Sequence, residues 1–150
     1  MHEHYDHFSH QSCETPVGWL RAVSDGAHLI NLDWNQIGWK DSDRPDDVSR
    51  ETINQLKAYF AGRLTDFTIP LRPLGVSKAR QRWLDVMANI AFGTTISYAA
   101  FAAAAGTPTA TRAAGTACAT NPIPIIYPCH RVVRSNGKIG FYGGGSQLAP

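Results

Sequence analysis

The sequence lacks a long apolar run, a secretory leader and a cysteine framework. No stretch of about 18 consecutive apolar residues occurs, so no membrane span is expected. The first 14 residues hold four histidines and no apolar signal-peptide core, so secretion is not expected. The three cysteines, Cys13, Cys118 and Cys129, form an odd set that argues against an extracellular, disulfide-bonded fold. These absences predict a reduced, cytoplasmic protein.

Negative charge is absent from the last part of the chain. Asp85 is the final carboxylate, and four cationic residues follow it. A segment without carboxylates does not repel phosphates, so it suits a polyanion such as nucleic acid. The alternative interpretation is a slightly basic surface that has no partner.

The apolar content that is present predicts a folded α+β protein. The chain has 150 residues, of which 43% are hydrophobic, and this composition excludes global disorder. We expect a flexible tail over residues 1–14, an N-terminal α+β lobe over 15–74 and a C-terminal helical lobe over 75–150. A linker rich in proline and glycine separates the two lobes.

The pattern of the N-terminal lobe predicts a small sheet and one helix. Val17–Val23 and Ala27–Trp34 are predicted strands joined by a tight turn. Ser49 is the predicted N-cap of a helix that runs to about residue 61, and its apolar residues follow helical spacing. Phe67–Leu71 is a candidate third strand.

The C-terminal lobe carries a helix-turn-helix pattern. Ser97 is the predicted N-cap of a short helix over residues 98–105, which Gly106 ends. Thr107, followed by proline, is predicted to begin a second helix that continues to about Thr120. The small side chains of that helix would let its backbone approach DNA closely, although two ordinary packed helices remain the alternative.

Residues 121–133 combine rigid and reactive side chains. Three prolines restrict the backbone, and the apolar run Ile125–Tyr127 is predicted to be a buried strand that ends near Cys129. A thiolate is a nucleophile, and the neighbouring His130 and Arg131 offer a base and a positive charge. A lone cysteine is more often a small buried hydrophobic residue, so the pair alone does not decide between the two roles.

The wider segment resembles the O6-alkylguanine-DNA alkyltransferases. The similarity covers about Thr15 to Gly145. In the C-terminal lobe it rests on five motifs: Pro128-Cys129-His130-Arg131-Val132, Asn121-Pro122, Arg112-Ala113-Ala114-Gly115, Ile96-Ser97-Tyr98 and the glycine-rich run Gly140–Gly145. In the N-terminal lobe it rests on Thr15-Pro16-Val17-Gly18 and on the helix end from Leu56 to Gly62. The resemblance implies an α+β fold in which a winged-helix-like helix-turn-helix binds DNA.

The resemblance also implies a reaction and the residues that perform it. Cys129 would accept the alkyl group from O6-alkylguanine in one displacement, and His130 would take the thiol proton through a water. Asn121 would hold the active-site turn, and Tyr98 would donate its hydroxyl to the leaving guanine. The protein would be consumed in a single turnover and would need no cofactor and no metal.

The implied partner is double-stranded DNA, bound by a monomer that flips the damaged base out of the helix. Arg112 would fill the gap left in the base stack. The remaining DNA-binding residues implied by the resemblance are Thr111, Ala113, Gly115, Arg134 and Lys138. The implied base pocket consists of Tyr98, Val132, Tyr142 and Gly143.

One departure from the family and two alternative functions accompany this interpretation. The family continues past its glycine run into a helix whose glutamate orients the histidine, and this sequence ends at Pro150, before that helix. The first alternative function is a DNA-binding module that flags lesions without transferring the alkyl group. Relatives of that kind lack the cysteine, so the presence of Cys129 argues against this alternative. A Cys-His hydrolase is the second alternative, but the sequence carries no signature of that class.

Overall fold

A computed structural model describes residues 7–39 and 43–134 of the chain. It divides the chain into two compact units, Met1–Leu74 and Gly75–Pro150. The described residues form strands and helices in both units, so the predicted α+β class is confirmed.

The first unit is a three-stranded antiparallel sheet with one helix. The strands are β1 (Ser9–Thr15), β2 (Gly18–Ser24) and β3 (Leu29–Asn35), in the spatial order β1-β2-β3. The helix α1 (Asp47–Phe60) packs against all three strands. The turn between β1 and β2 requires Gly18, because its φ is 120° and a Cβ there would lie 2.8 Å from two side chains.

The first strand begins inside the predicted tail, so the prediction of a flexible segment over residues 1–14 is wrong from Ser9 onward. β1 pairs with β2 along its whole length, from Ser9 opposite Ser24 to Thr15 opposite Gly18. The polar side chains of this segment suggested a mobile terminus. Pairing with β2 and burial of His10 and Cys13 outweigh that local preference.

Two further boundaries in the first unit differ from the sequence prediction. Asp46, not Ser49, is the N-cap of α1. The Ser49 hydroxyl, at the third helical position, accepts a hydrogen bond from the Asp46 amide and completes a capping box. The predicted strand Phe67–Leu71 is reduced to one bridge between Leu71 and Leu29. Pro70 cannot donate a backbone hydrogen bond, which limits strand pairing there.

The second unit is helical and carries one short parallel strand pair. Its elements are α2 (Lys78–Ala88), β4 (Ile96–Ser97), α3 (Tyr98–Ala104), α4 (Thr111–Ala119) and β5 (Val132–Val133). Phe101 is fully buried and packs edge-on against Trp83 on α2, with ring centroids 5.1 Å apart. This contact holds α3 against α2.

The helix-turn-helix consists of α3 and α4, which pack against each other. Ser97 accepts a hydrogen bond from the Ala100 amide at 3.0 Å, so the predicted N-cap is confirmed. Gly106 ends α3 with a φ of 83°. The Thr107 amide donates to the Ala102 carbonyl at 3.0 Å, and this bond closes the helix end.

The second helix of the motif begins later than predicted. Thr107 belongs to the end of α3, and its hydroxyl makes no capping bond. The Ala110 amide donates to the Thr107 carbonyl at 2.9 Å, so the chain makes a turn before α4 begins at Thr111. No helix in the described residues is long and apolar enough to cross a membrane.

Candidate active site

The segment before Cys129 is a compact double turn rather than the predicted strand over Ile125–Tyr127. The Ile126 amide donates to the Pro124 carbonyl at 2.9 Å, and Ile125 has a φ of 74°. These two features define a γ-turn with a positive φ, a conformation that is strained for a β-branched residue. Ile125 is buried, so packing holds it there.

A second turn places Cys129 at the start of a short helix. Pro128 has φ −81° and ψ 65°, and the Cys129 amide donates to the Tyr127 carbonyl at 2.8 Å. This is an inverse γ-turn. A single 3-10 turn, Cys129–Arg131, follows. Hydrogen-bonded turns therefore fix the backbone on both sides of Cys129.

Asn121 ties the two ends of this segment together. Its Nδ2 donates to the Tyr127 carbonyl at 2.8 Å, and its Oδ1 accepts from the Ile123 amide at 3.0 Å. The side chain is 5% exposed, so both bonds form away from water. Buried backbone groups need partners, and Asn121 supplies one to each end of the loop.

Cys129 and His130 are adjacent but differ in exposure. Cys129 is fully buried, whereas His130 is partly exposed. Burial, with a smaller effect from the positive charge of Arg131, lowers the pKa of His130 to about 4. The imidazole is therefore neutral at neutral pH, the form that can accept a proton.

The chain carries a second buried thiol close to this site. Cys118 lies on α4 and is fully buried. Burial, together with the neighbouring Cys129, raises the pKa of Cys118 well above its usual range. Cys118 is therefore a protonated, unreactive thiol, which makes it a natural comparison for Cys129.

The strand pair β4–β5 brings the start of α3 next to the cysteine turn. Ile96 pairs with Val132, and Ser97 pairs with Val133. Tyr98 follows Ser97 directly, and Val132 follows the 3-10 turn directly. The β4–β5 strand pair thus connects Tyr98 with the cysteine turn, although the two are far apart in sequence.

A surface cavity of about 510 Å³ lies along α4. Its lining includes five residues that the sequence assigned to DNA or base contact: Tyr98, Thr111, Arg112, Gly115 and Arg134. Arg112 and Arg134 are exposed, so this surface is cationic. A Cβ added at Gly115 would meet nothing within 4 Å, so another molecule can approach this part of the helix.

The other predicted site residues fall elsewhere. Ala113 lies on a neighbouring face of α4 and lines a second groove with Arg80 and Trp83 of α2. Val132 is fully buried in β5, and neither it nor Cys129 is among the described residues that line the α4 cavity. Lys138, Tyr142 and Gly143 lie outside the described residues.

Two family models match this chain, one in each of its two units. The family model for the DNA binding domain of 6-O-methylguanine DNA methyltransferase matches residues 78–149. The family model for the ribonuclease-like domain of the same methyltransferase matches residues 9–73. The chain belongs to this family.

Individual relatives of this methyltransferase family match most of the chain. A methylated-DNA–protein-cysteine methyltransferase of Mycobacterium leprae is 37% identical over 142 residues, covering 90% of this chain and 84% of the relative. The crystal structure of the Mycobacterium tuberculosis O6-methylguanine methyltransferase has a TM-score of 0.79 and 37% identity, covering 92% of this chain and 86% of that one. A structure of the M. tuberculosis protein in complex with DNA has a TM-score of 0.79 and 38% identity over 91% of this chain and 84% of that one.

Sequence reasoning missed two cavity residues and one contact. Thr116 and Ala119 line the α4 cavity, and both lie at helical spacing from Arg112 or Gly115, a signal that the sequence contains. Arg80 donates to the Thr120 hydroxyl at 2.5 Å and links α2 to the end of α4. The separation of 40 residues gave no local hint of that contact.

Proposed function

We propose that this chain repairs alkylated DNA by transferring an alkyl group from the O6 atom of guanine to the Sγ atom of Cys129. The observation that carries the proposal is the turn itself. It holds a buried cysteine between two backbone hydrogen bonds and follows it with a histidine that is neutral at physiological pH. The family of the chain and the cationic α4 cavity support DNA as the substrate.

The reaction is a single displacement at the alkyl carbon. His130 accepts the thiol proton through a water, and the resulting thiolate attacks the alkyl carbon. The carbon–O6 bond breaks, its electron pair stays on the guanine oxygen, and the Tyr98 hydroxyl donates a proton as that charge develops. The proton that His130 took from the thiol replaces, through water, the proton that Tyr98 donated. Guanine is restored, and Cys129 becomes a stable thioether, so each molecule reacts once.

The α4 surface would deliver the base to the thiol. The target guanine is stacked inside the duplex, so a monomer must flip it out before transfer. Arg112 would occupy the vacated place in the stack, and Arg134 would face the phosphate backbone. Minor-groove binding by a helix with small side chains is nearly independent of sequence, which suits a protein that must act at any guanine.

Intact mass spectrometry tests the proposed function directly. The protein is incubated with duplex DNA that contains O6-methylguanine, and we expect its mass to increase by one methylene group. Peptide mapping should locate the modification on Cys129, with Cys118 unmodified. Retained binding to the lesion without any change in mass would instead indicate a lesion-binding module.

Replacing Arg112 with alanine should separate base flipping from chemistry. We expect transfer from duplex DNA to slow by about 10- to 100-fold, because unstacking a base costs a few kcal/mol that the arginine offsets. Reaction with the free base O6-benzylguanine, which needs no flipping, should change little. Single-turnover rates on both substrates measure the difference.

The exposed Arg82 on α2 provides the matched control for Arg112. Arg82→Ala removes one positive charge from the same unit without touching the α4 cavity. It should affect the two substrates alike. Equal losses on duplex and free base in the Arg112→Ala variant would contradict the role of Arg112.

Replacing Tyr98 with phenylalanine should slow transfer and spare DNA binding. The variant keeps the aromatic ring that lines the cavity and loses the hydroxyl, so we expect the transfer rate to fall on the order of 100-fold. Affinity for lesion-containing duplex, measured by fluorescence anisotropy, should stay within about twofold, because the hydroxyl acts on the charge that develops in the transition state and not in the bound complex. Tyr59→Phe, a change on α1, is the control, and an unchanged transfer rate in Tyr98→Phe would rule out its role.

A further inference from the structure

The proposed chemistry does not use the side chain of Arg131, although its contacts are well defined. Nη1 of Arg131 donates to the Ile90 carbonyl at 2.7 Å. The guanidinium carbon lies 5.5 Å from the centre of the Phe92 ring. Arg131 is also the last residue of the 3-10 turn that begins at Cys129, and its own amide donates to the Pro128 carbonyl at 2.9 Å.

The Ile90 carbonyl belongs to the C-terminal end of α2. The Ile90 amide donates to the Met87 carbonyl at 3.1 Å, so Ile90 continues the end of this helix. The last turn of α2 contains no basic residue of its own. Helix ends favour a cation near their unpaired carbonyl groups, and here Arg131 supplies it from a distant part of the chain.

We propose that Arg131 is a positioning residue for alkyl transfer: it anchors the turn that carries Cys129 to the end of α2 and places a fixed positive charge next to His130. The inference rests on the proposed function, since it concerns the same thiol. Asn121 holds the loop before the cysteine, and Arg131 holds the turn after it. The segment that carries the thiol is thus held by one side-chain anchor on each side, Asn121 before it and Arg131 after it.

The charge of Arg131 has a second consequence, at the imidazole. Burial is the larger cause of the low pKa of His130, and Arg131 is the charged group that adds to it. The helices α2 and α4 pack against the turn. α2 carries Asp85, whose negative charge raises the pKa of Tyr127, and α4 carries Cys118, whose thiol is neutral. Removing the positive charge should therefore raise the pKa of His130 toward its usual value.

Three substitutions separate the anchor from the charge. Arg131→Lys keeps the charge and one donor, Arg131→Gln keeps a donor without the charge, and Arg131→Met removes both. Arg82→Met removes one charge from the exposed face of α2 and is the matched control. Circular dichroism reports whether each variant folds, and the Gln variant answers the question of charge if the Met variant does not fold.

The imidazole signals of His130, followed by NMR between pH 5 and pH 8, give the first readout. We expect no titration of His130 in the unsubstituted protein over this range, because its pKa is about 4. In the Gln and Met variants the pKa should rise by about one unit, as the loss of a nearby like charge allows. It should stay low in Arg131→Lys and Arg82→Met. A low pKa in all variants would overturn the proposed effect of the charge.

The rate of methyl transfer at pH 8, where the imidazole is neutral in every variant, gives the second readout. We expect the Met variant to be slowed by about tenfold, since losing a hydrogen bond to a partly buried carbonyl is worth about 1.4 kcal/mol. The Gln and Lys variants should transfer faster than the Met variant and more slowly than the unsubstituted protein. A Met variant that transfers as fast as the unsubstituted protein would overturn the anchor. Absence of transfer by the unsubstituted protein would overturn the proposed function itself. The imidazole titration would still test the effect of the Arg131 charge, because it does not require transfer.

Discussion

Replacing Cys129 with alanine is expected to abolish the mass increase on lesion-containing DNA while leaving DNA binding intact. The reaction needs the Sγ atom as the acceptor, and no other thiol in the second unit is placed to replace it, because Cys118 is buried and protonated. The substitution removes one buried atom and should lower the free energy of unfolding by only about 1 kcal/mol. Intact mass measures the first effect, and anisotropy with duplex DNA measures the second.

Cys118→Ala is the control that makes this experiment decisive. Both cysteines are fully buried in the same unit, so the two substitutions disturb the core to a similar extent. The Cys118→Ala protein should gain one methylene group as the unsubstituted protein does. A full mass increase in Cys129→Ala would show that Cys129 is not the acceptor. Loss of the increase in a folded Cys118→Ala protein would contradict the assignment as well.

Replacing Asn121 with alanine should have the second largest effect, on stability and on transfer together. The Ile123 amide would lose its partner in a buried site, and the Tyr127 carbonyl would keep only the bond from Cys129. Leaving such groups unpaired costs about 2–3 kcal/mol in total, so the midpoint of unfolding by denaturant should move to a clearly lower concentration. Transfer should slow by about 100-fold at a temperature where the variant is folded, because the turn no longer fixes the thiol.

Asn89 offers a matched asparagine outside the turn. It is exposed at the end of α2, and its side chain makes one bond to the Asp85 carbonyl at 3.2 Å. Asn89→Ala should change the free energy of unfolding by less than about 0.5 kcal/mol and leave the transfer rate unchanged. If the Asn121 and Asn89 variants behaved alike, the hydrogen bonds of the turn would have no special role.

Local signals in the sequence predicted the parts of the fold that depend on local chemistry. A serine before a run of helix-forming residues offers its oxygen to a nearby amide, which predicts Ser97 as an N-cap, and the structure has that bond. Thr107 carries the same kind of signal, yet its amide closes the preceding helix. One residue can suit both the start of the following helix and the end of the preceding one, and the sequence does not show which of the two it forms.

The cysteine turn shows where prediction from sequence stops. Ile125–Tyr127 is an apolar run, which favours a strand, and a positive φ is expected of glycine or asparagine rather than isoleucine. The observed turn exists because Asn121 bonds to both of its ends and the core encloses Ile125. The partner of Arg131 is likewise a backbone carbonyl, and every residue has one, so sequence offers no signal for it.

The complete burial of Cys129 bears on how long an unused molecule lasts. A protein that is consumed by its own reaction must wait, intact, for a lesion that arrives rarely. A thiol on the surface would meet oxidants and small alkylating agents throughout that time and would be spent on them. Enclosing the sulfur lengthens the working life of each copy, so the number of lesions that a cell can repair approaches the number of molecules it has made.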